Sequence, residues 1–229
     1  MIVFIGMDDT DNRESRGTGR LARTAAERLS AQYDVLGVVR HQLFFDPRVP
    51  YTKNNSSAAI LVQAGGWASL GDIFQQVKAL MQADFQPGSD PGLCAAINVP
   101  RAVTQFGQRA KVDLVTQEEA RQLAYRHGLM LEGLGGTHGG VIGALSAVGL
   151  AASGEDGRYI QVGGLRELTG PQPVKALLAA GIHHVQALDG GEVTEGLVMT
   201  DKLRPARRGG VPVAVVQWQD DVWQPLKLD

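Results

Sequence analysis

The opening stretch constrains the fold more than any other part of the chain. Ile2-Val3-Phe4-Ile5 is a short, continuous run of apolar residues, largely β-branched or aromatic, and it passes through Gly6 directly into Asp8, Asp9 and Asp11. Such a run predicts a buried strand ending at Gly6. From Gly19 to about Gln32, Leu21, Ala25 and Leu29 recur every four residues with Ala22 and Ala26 beside them, which predicts an amphipathic helix capped by Thr18. The chain therefore opens as strand, acidic loop, helix.

The remaining elements follow from the same periodicities. Residues 35–45 and 58–62 predict strands that bracket a polar loop carrying Arg48, Tyr51, Lys53, Asn54 and Asn55. Ser69 begins a second helix with Ile73, Val77 and Leu80 on one face, and residues 93–99 predict a strand. Thr116 with Glu119 forms a capping box for a helix ending near Gly128. Residues 133–140 hold five glycines before a small-residue helix over 141–150, with Thr137 as its candidate cap. A strand near 159–162, a helix over 171–180, strands at 197–199 and 211–218, and a basic loop from Asp201 to Gly210 complete the pattern. The fold class is α/β (α+β).

Composition narrows the function classes. The chain has 229 residues, 44% hydrophobic and 20% charged, enough for the core of one large or two small domains. Lys+Arg number 22 against 24 Asp+Glu, so there is no overall basic field to drive non-specific nucleic-acid binding. Cys94 is the single cysteine, which excludes an internal disulfide and a cysteine zinc site and predicts a buried, inert thiol in a reducing compartment. No signal peptide or membrane-spanning stretch is evident, so a cytoplasmic protein without a membrane partner is expected.

Three carboxylates within four positions repel one another unless a cation or a proton compensates. Magnesium, which takes hard oxygen ligands while keeping several waters, suits Asp8, Asp9 and Asp11 as metal ligands. The competing reading is a solvated loop whose acids favour the start of the following helix. The turn Gly136-Thr137-His138-Gly139-Gly140 is a candidate phosphate cradle, because backbone N–H groups at a helix N-terminus hold phosphate oxygens. It is not a Walker loop, which needs a lysine, and tight packing of the following helix is the competing reading. Lys202, Arg204, Arg207 and Arg208 are candidate anion contacts, with a solvated surface as the alternative.

Two families share features with these residues. Haloacid-dehalogenase-like phosphatases place Asp-x-Asp-x-Thr or Val after the first strand, but Arg13 stands here where the Thr or Val belongs. The fuller resemblance is to archaeal tRNA-isoleucine agmatinylcytidine synthetase. Ile5-Gly6-Met7-Asp8-Asp9-Thr10-Asp11 with Gly17-Thr18 resembles that family's opening. Asp46-Pro47-Arg48-Val49-Pro50-Tyr51-Thr52-Lys53 resembles its Asn-Pro-x-Ile-Pro segment, and Gly139-Gly140-Val141-Ile142-Gly143-Ala144-Leu145 its Arg-Gly-Leu-Ile-Gly-Ala-Leu. Val198-Met199-Thr200 and Pro212-Val213 resemble its later strand-loop-strand.

The resemblance implies a kinase-like catalytic domain in two parts, 1–62 and 133–229, interrupted by a ferredoxin-like domain over 63–132, with ATP and Mg2+ as cofactors. It implies catalytic roles for Asp8, Asp9, Asp11 and Thr18, the last at the position of a threonine pair implicated in phosphate transfer. Nucleotide binding is expected at Gly136, Thr137, His138, Gly139 and Gly140, and substrate binding at Arg48, Tyr51, Lys53, Asn54 and Asn55. The family continues into an OB-fold and a zinc ribbon that grip tRNA, whereas this sequence closes at Asp229 with one cysteine. The expectation is an ATP- and magnesium-dependent phosphotransferase or ligase-like enzyme acting on a small molecule, with tRNA binding unlikely without a partner chain. The alternatives are a non-catalytic nucleotide or polyamine sensor, and a tRNA-modifying enzyme that borrows its RNA grip from a partner chain.

Overall fold

The computed structural model describes residues 1–11, 17–49, 54–84 and 86–227. The N-terminal run forms β1 (Ile2–Asp8), which lies between β3 (Ser56–Gln63) and β4 (Gly92–Ala96) and pairs antiparallel with both. Its alternate residues serve two helical layers, as the two-residue period of a strand requires. Val3, Ile5 and Met7 are buried against Leu21 and Ala25 of α1 (Thr18–Leu29) and Ile73 and Phe74 of α2 (Trp67–Asp84). Phe4, Gly6 and Asp8 face the other side, where α5 (Val141–Ser153) crosses the sheet. Behind α5 lie α3 (Arg101–Arg109) and α4 (Gln117–His127), which join it in a third cluster through Val103, Phe106 and Ala120.

Small residues let α5 lie almost on the strands. A Cβ on Gly6 would sit 2.0 Å from the carbonyl oxygen of Ala144, and one on Gly92 would sit 2.1 Å from the carbonyl carbon of Gly140. Both neighbours are backbone, so neither can yield without moving the helix. The result is that the start of α5 is held at the end of β1, beside the acidic loop.

The sheet continues through β2 (Asp34–Gln42) and β6 (Arg158–Gln161) into β10 (Ala206–Arg208), β11 (Val211–Gln219) and β12 (Val222–Pro225). It closes on β9 (Leu197–Met199) and β7 (Pro171–Pro173), while β5 (Met130–Gly133) forms the other edge beside β4. Off this path, β8 (His184–Ala187) pairs parallel with β11. α6 (Val174–Ala179) covers this half through Val174 and Leu177, which share a core with Val185, Val198 and Val216. The fold is α+β. Residues 63–132 supply α2, β4, α3 and α4, and β4 pairs with β1 in the same sheet.

Several predicted elements hold with small changes of boundary. The capping box is present as read: Thr116 accepts from the Glu119 amide, Glu119 returns to the Thr116 amide, and Gly128 ends α4 in the left-handed region at φ +65°. Four expectations need correction. Gly140, not Thr137, is the N-cap of α5, and the Thr137 hydroxyl is donated to Asp90 instead. Gly17, not Thr18, is the N-cap of α1, so Thr18 begins the helix. Pro171 lies in β7 rather than at a helix start, because Gln172 pairs with Val198 and the prolines' fixed φ also suits extended chain. The expected basic loop 201–210 contains β10, and Arg207 is buried there, donating from Nε to Ala151 O at 2.9 Å and from Nη1 to the Tyr159 hydroxyl at 2.6 Å. It is a structural arginine.

A second buried polar link fastens β2 to the layer behind it. His41 is fully buried, its Nδ1 is 2.8 Å from Asp156 Oδ1, and Lys111 pairs with the same carboxylate. Burial holds the imidazole below its usual range, so it is neutral and donates to Asp156. Cys94 is buried in β4 and burial pushes its thiol up, which keeps it unreactive. Among the described residues, no helix is long and apolar enough to cross a membrane.

Candidate active site

The acidic loop is built by the strand that precedes it and the helix that faces it. Asp8 is the last residue of β1 and points at α5: a Cβ on Gly143 would sit 1.8 Å from Asp8 Oδ2. Asp9 then turns the chain with φ +48°, a left-handed conformation unfavourable to a non-glycine residue and held only where surroundings enforce it. Its Oδ2 accepts from the Asp90 amide at 3.3 Å. Asp11 follows, accepting on Oδ1 from the Thr18 hydroxyl at 3.2 Å. Thr18 Oγ1 in turn accepts from the Thr10 amide at 3.3 Å and the Thr10 hydroxyl at 3.1 Å. Thr10 and Thr18 are both buried, so this small network fixes where Asp11 points.

Asp8, Asp9 and Asp11 line one cleft of about 300 Å3, together with Asn54, Asn55 and Asp90. Leu43, Phe44, Val49 and Ile142 contribute apolar lining, and Asp113 and Gln117 also line it. No lysine, arginine or histidine is among the described residues that line it. The electrostatic consequence is direct. Burial, then the charge of Asp9, pushes the Asp8 carboxyl well above the usual carboxylate range. Asp9 is pushed up to about 6, chiefly by burial and then by the charges of Asp90 and Asp11, against the opposing Asp90 amide. A cation entering the cleft relieves both effects.

The donor set is carboxylate oxygen, the class of ligand that hard divalent cations take. Hard carboxylate oxygens meet at one cleft, yet no group of three acidic, histidine or cysteine side chains forms a ready metal cluster among the described residues.

Asp90 is a residue that the sequence reading passed over. Its Oδ1 accepts from the Thr137 amide at 2.6 Å, its Oδ2 accepts from the Thr137 hydroxyl, and its carbonyl accepts from the Gly140 amide at 2.8 Å. A Cβ on Gly136, which has φ +60°, would collide with the same carboxylate. Asp90 thus ties the glycine turn to the acidic loop. Its only signal in sequence is its place in a glycine- and proline-rich stretch, Gly88 to Gly92.

The glycine turn therefore stands beside the cleft, with Thr137, Gly139 and Gly140 in its wall, while Gly136 and His138 are outside the lining. Three of its amides are already donated within the protein, those of Thr137 and Gly140 to Asp90 and that of His138 to Gly135 O at 3.2 Å. His138 has φ +66° and packs where Gly133 leaves room for it. The polar loop divides. Asn54 and Asn55 line the cleft, and Asn55 Nδ2 donates to Phe44 O at 2.7 Å. Arg48 does not line it: its guanidinium is turned to Asp46, at 2.7 Å from Nε to Oδ1 and 2.9 Å from Nη2 to Oδ2, and is largely exposed. Tyr51 and Lys53 lie outside the described residues. Thr18 lines a neighbouring cleft, rich in arginine, that shares Asp11, Asn54 and Ser56 with the acidic one.

No family model matches the sequence, and no curated protein matches it. Solved structures do resemble the fold. A tRNA fluorescent labeling enzyme superposes with a TM-score of 0.58 at 26% identity, over 65% of this chain and 36% of that one. A complex of TiaS with tRNA(Ile2) and ATP gives a TM-score of 0.58 at 25% identity, over the same 65% and 36%. Apo TiaS, named as tRNAIle2 agmatidine synthetase, shares the fold with a TM-score of 0.55 at 24% identity. The chain spans little more than a third of the length of each, 35–36%.

Proposed function

We propose that this chain, which resembles the catalytic core of TiaS, is an ATP- and magnesium-dependent enzyme of the phosphotransferase or ligase kind whose acceptor is a small cationic molecule. The observation that carries the reading is the cleft in which Asp8, Asp9, Asp11 and Asp90 converge with no basic side chain among the described residues of its lining. Two of those carboxyls are pushed up by burial and then by neighbouring carboxylates, so the cleft favours positive charge. Asp8 and Asp9 would hold the metal, and Asp11 would orient the Thr18 hydroxyl or the attacking group. Bound magnesium would neutralise phosphate oxygens as charge develops during transfer. The apolar lining from Leu43, Phe44, Val49 and Ile142 suits the hydrocarbon body of an amine, whose charged end the carboxylates would meet. Catalysis on this reading is mostly positioning and charge compensation.

The test is ATP consumption by the purified chain with magnesium and a panel of aliphatic amines and guanidines. Turnover that depends on one of these acceptors and falls at least about a hundredfold in Asp9→Asn is the expected result, in line with the loss of a charge-stabilising group. Tight ATP binding with no turnover for any acceptor would support a nucleotide sensor instead.

A second reading, in which the chain modifies tRNA with a partner chain, is supported by its likeness to a TiaS–tRNA complex. Binding of transcribed tRNA to the isolated chain at low salt, where phosphate contacts are strongest, tests whether the chain grips RNA by itself, and without such binding the tRNA reading requires the partner chain.

A further inference from the structure

Much of the acidic cleft is lined by residues that stand apart from its carboxylates. Leu43 and Phe44 follow β2, Asn55 precedes β3, and Ala110, Leu114 and Val115 belong to the segment between α3 and α4. Their positions set how wide the cleft is. Part of this frame is apolar, since Leu43, Ala110 and Leu150 form a small core of their own with Val115 packed against it. Three hydrogen bonds knit the end of β2 to Asn55. The Leu43 amide donates to Asn55 O at 2.8 Å, Gln42 Nε2 donates to the same oxygen at 2.7 Å, and Asn55 Nδ2 donates to Phe44 O at 2.7 Å. Residues 110–115 are held differently. The amides of Lys111, Val112 and Asp113 turn back on α3, and the Leu114 amide donates to Asp113 Oδ1 at 2.7 Å, while Val112 and Leu114 are exposed.

Among the described residues, two hydrogen-bonded links reach from that segment to the protein beyond α3. The Phe44 amide donates to Ala110 O at 3.0 Å, and beside it the Lys111 ammonium pairs with Asp156. Asp156 has little freedom. It lies in the connection between α5 and β6, where Glu155 Oε1 accepts from the Gly209 amide at 2.8 Å and the Arg207 amide donates to Gly157 O at 2.9 Å. Gly157 is held at φ +88°, and a Cβ there would sit 2.6 Å from His41 Nδ1. The carboxylate is thus pinned between two partners, with one oxygen on His41 in β2 and the other on Lys111. Burial acts to raise Asp156, but the hydrogen bonds from His41 and Lys111 outweigh it and hold the carboxyl below its usual range.

Such a group is a poor way to gain stability. Enclosing charges costs them hydration, and apolar side chains of similar volume commonly serve as well or better. His41 adds a further cost, because its Nε2 is buried with no hydrogen-bond partner among the described residues. What the ionic group does supply is direction: one carboxylate fixes both partners, and so fixes where Lys111 and the adjoining Ala110 lie. We infer that Lys111, Asp156 and His41 form a clamp that positions residues 110–115 against the end of β2, and thereby sets the width of the acidic cleft for the acceptor. Asp156 and Lys111 are positioning residues, since neither lines the cleft and each acts through Ala110 and the residues that follow it. The clamp rests on geometry alone, and its service to an acceptor rests on the proposed activity.

The experiment compares the full chain with Lys111→Met, Lys111→Arg and Asp156→Asn, and with Arg109→Gln, which breaks the exposed ion pair to Glu119 nearby in the chain. Hydrogen exchange followed by NMR reads the Phe44 amide, whose acceptor is Ala110 O. Exchange at least about tenfold faster is expected in Lys111→Met and Asp156→Asn, as loss of a charge-assisted contact predicts, with wild-type rates in Lys111→Arg and Arg109→Gln. Lys111 is partly exposed, so its variant keeps the test sound if Asp156→Asn fails to fold. Turnover with a compact aliphatic amine then reads the cleft. In Lys111→Met the KM for the amine should rise about tenfold while kcat and the KM for ATP stay within about twofold, the split expected when acceptor binding alone is loosened, and Lys111→Arg should restore it. A Phe44 amide that exchanges at one rate in all five proteins, or as fast in Arg109→Gln as in Lys111→Met, overturns the inference. Faster exchange with an unchanged KM for the amine, or with kcat and both KM values disturbed together, likewise overturns it. If no amine supports turnover in the wild type, the proposed activity fails, and the exchange rates alone decide the clamp.

Discussion

At Asp9 two costs coincide: a backbone held at φ +48° and a carboxyl raised to about 6, chiefly by burial. A carboxyl raised on folding makes the folded state bind protons more tightly than the unfolded chain. Its stabilising effect is complete below the ordinary value near 3.8 and is lost as pH rises through about 6. Metal-free wild-type protein should therefore lose stability between pH 4 and 6 in a way that Asp9→Asn does not. After allowance for partial exposure, the variant should be more stable at pH 7.5 by ~1–2 kcal/mol. Urea denaturation of both proteins at pH 4, 5, 6 and 7.5 checks this, and parallel curves across the range would remove the electrostatic reason for a cation here. The run Asp8, Asp9, Asp11 was visible in sequence as a repulsive cluster. Asp90 was not, because it is 79 residues from Asp11 in the chain, as the numbering gives, and its role appears only when the sheet places β4 beside β1.

Among the elements, β1 and α5 do most to position the site, and both were legible. The β1 run is too short and too apolar for any other element, and 141–150 is apolar all round, as a helix buried between a sheet and other helices must be. α3 was not legible. Gly107 interrupts its pattern like a breaker, yet it is there to let α3 approach α5: a Cβ would meet Ser146 O at 2.9 Å. The glycine turn shows the same limit. Its composition suited a phosphate cradle and close packing equally, and the hydrogen bonds to Asp90 decide how its amides are used. Close approach also gives the sharpest packing prediction. Gly143→Ala places a methyl group 1.8 Å from Asp8 Oδ2, so the carboxylate must swing away or the helix must lift. We expect a loss of ~1–3 kcal/mol in denaturation, as for other overpacked sites, with loss of metal-dependent ATP binding. A variant that is unaffected in both would mean that α5 does not fix Asp8.

At the scale of the whole molecule, charge is partitioned rather than simply balanced. A net charge of −2 gave no hint of a basic surface, and it conceals an acidic cleft and an arginine cleft that share Asp11, Asn54 and Ser56. Arg20 and Arg23 sit on α1, while Arg158, Arg166 and Arg204 are contributed from beyond residue 150, so only the folded sheet brings them together. Sequence patterns record local period and local charge, and neither reports a site assembled across this distance. The most direct measurement of the central claim is calorimetric titration of a non-hydrolysable ATP analogue into wild-type protein and Asp9→Asn, with and without magnesium, from pH 5 to 8. The expected result is binding that magnesium tightens at least about tenfold in the wild type, an advantage that fades as Asp9 is protonated below about pH 6 and is absent in the variant. Binding of equal strength with and without magnesium, in both proteins and at every pH, would contradict it.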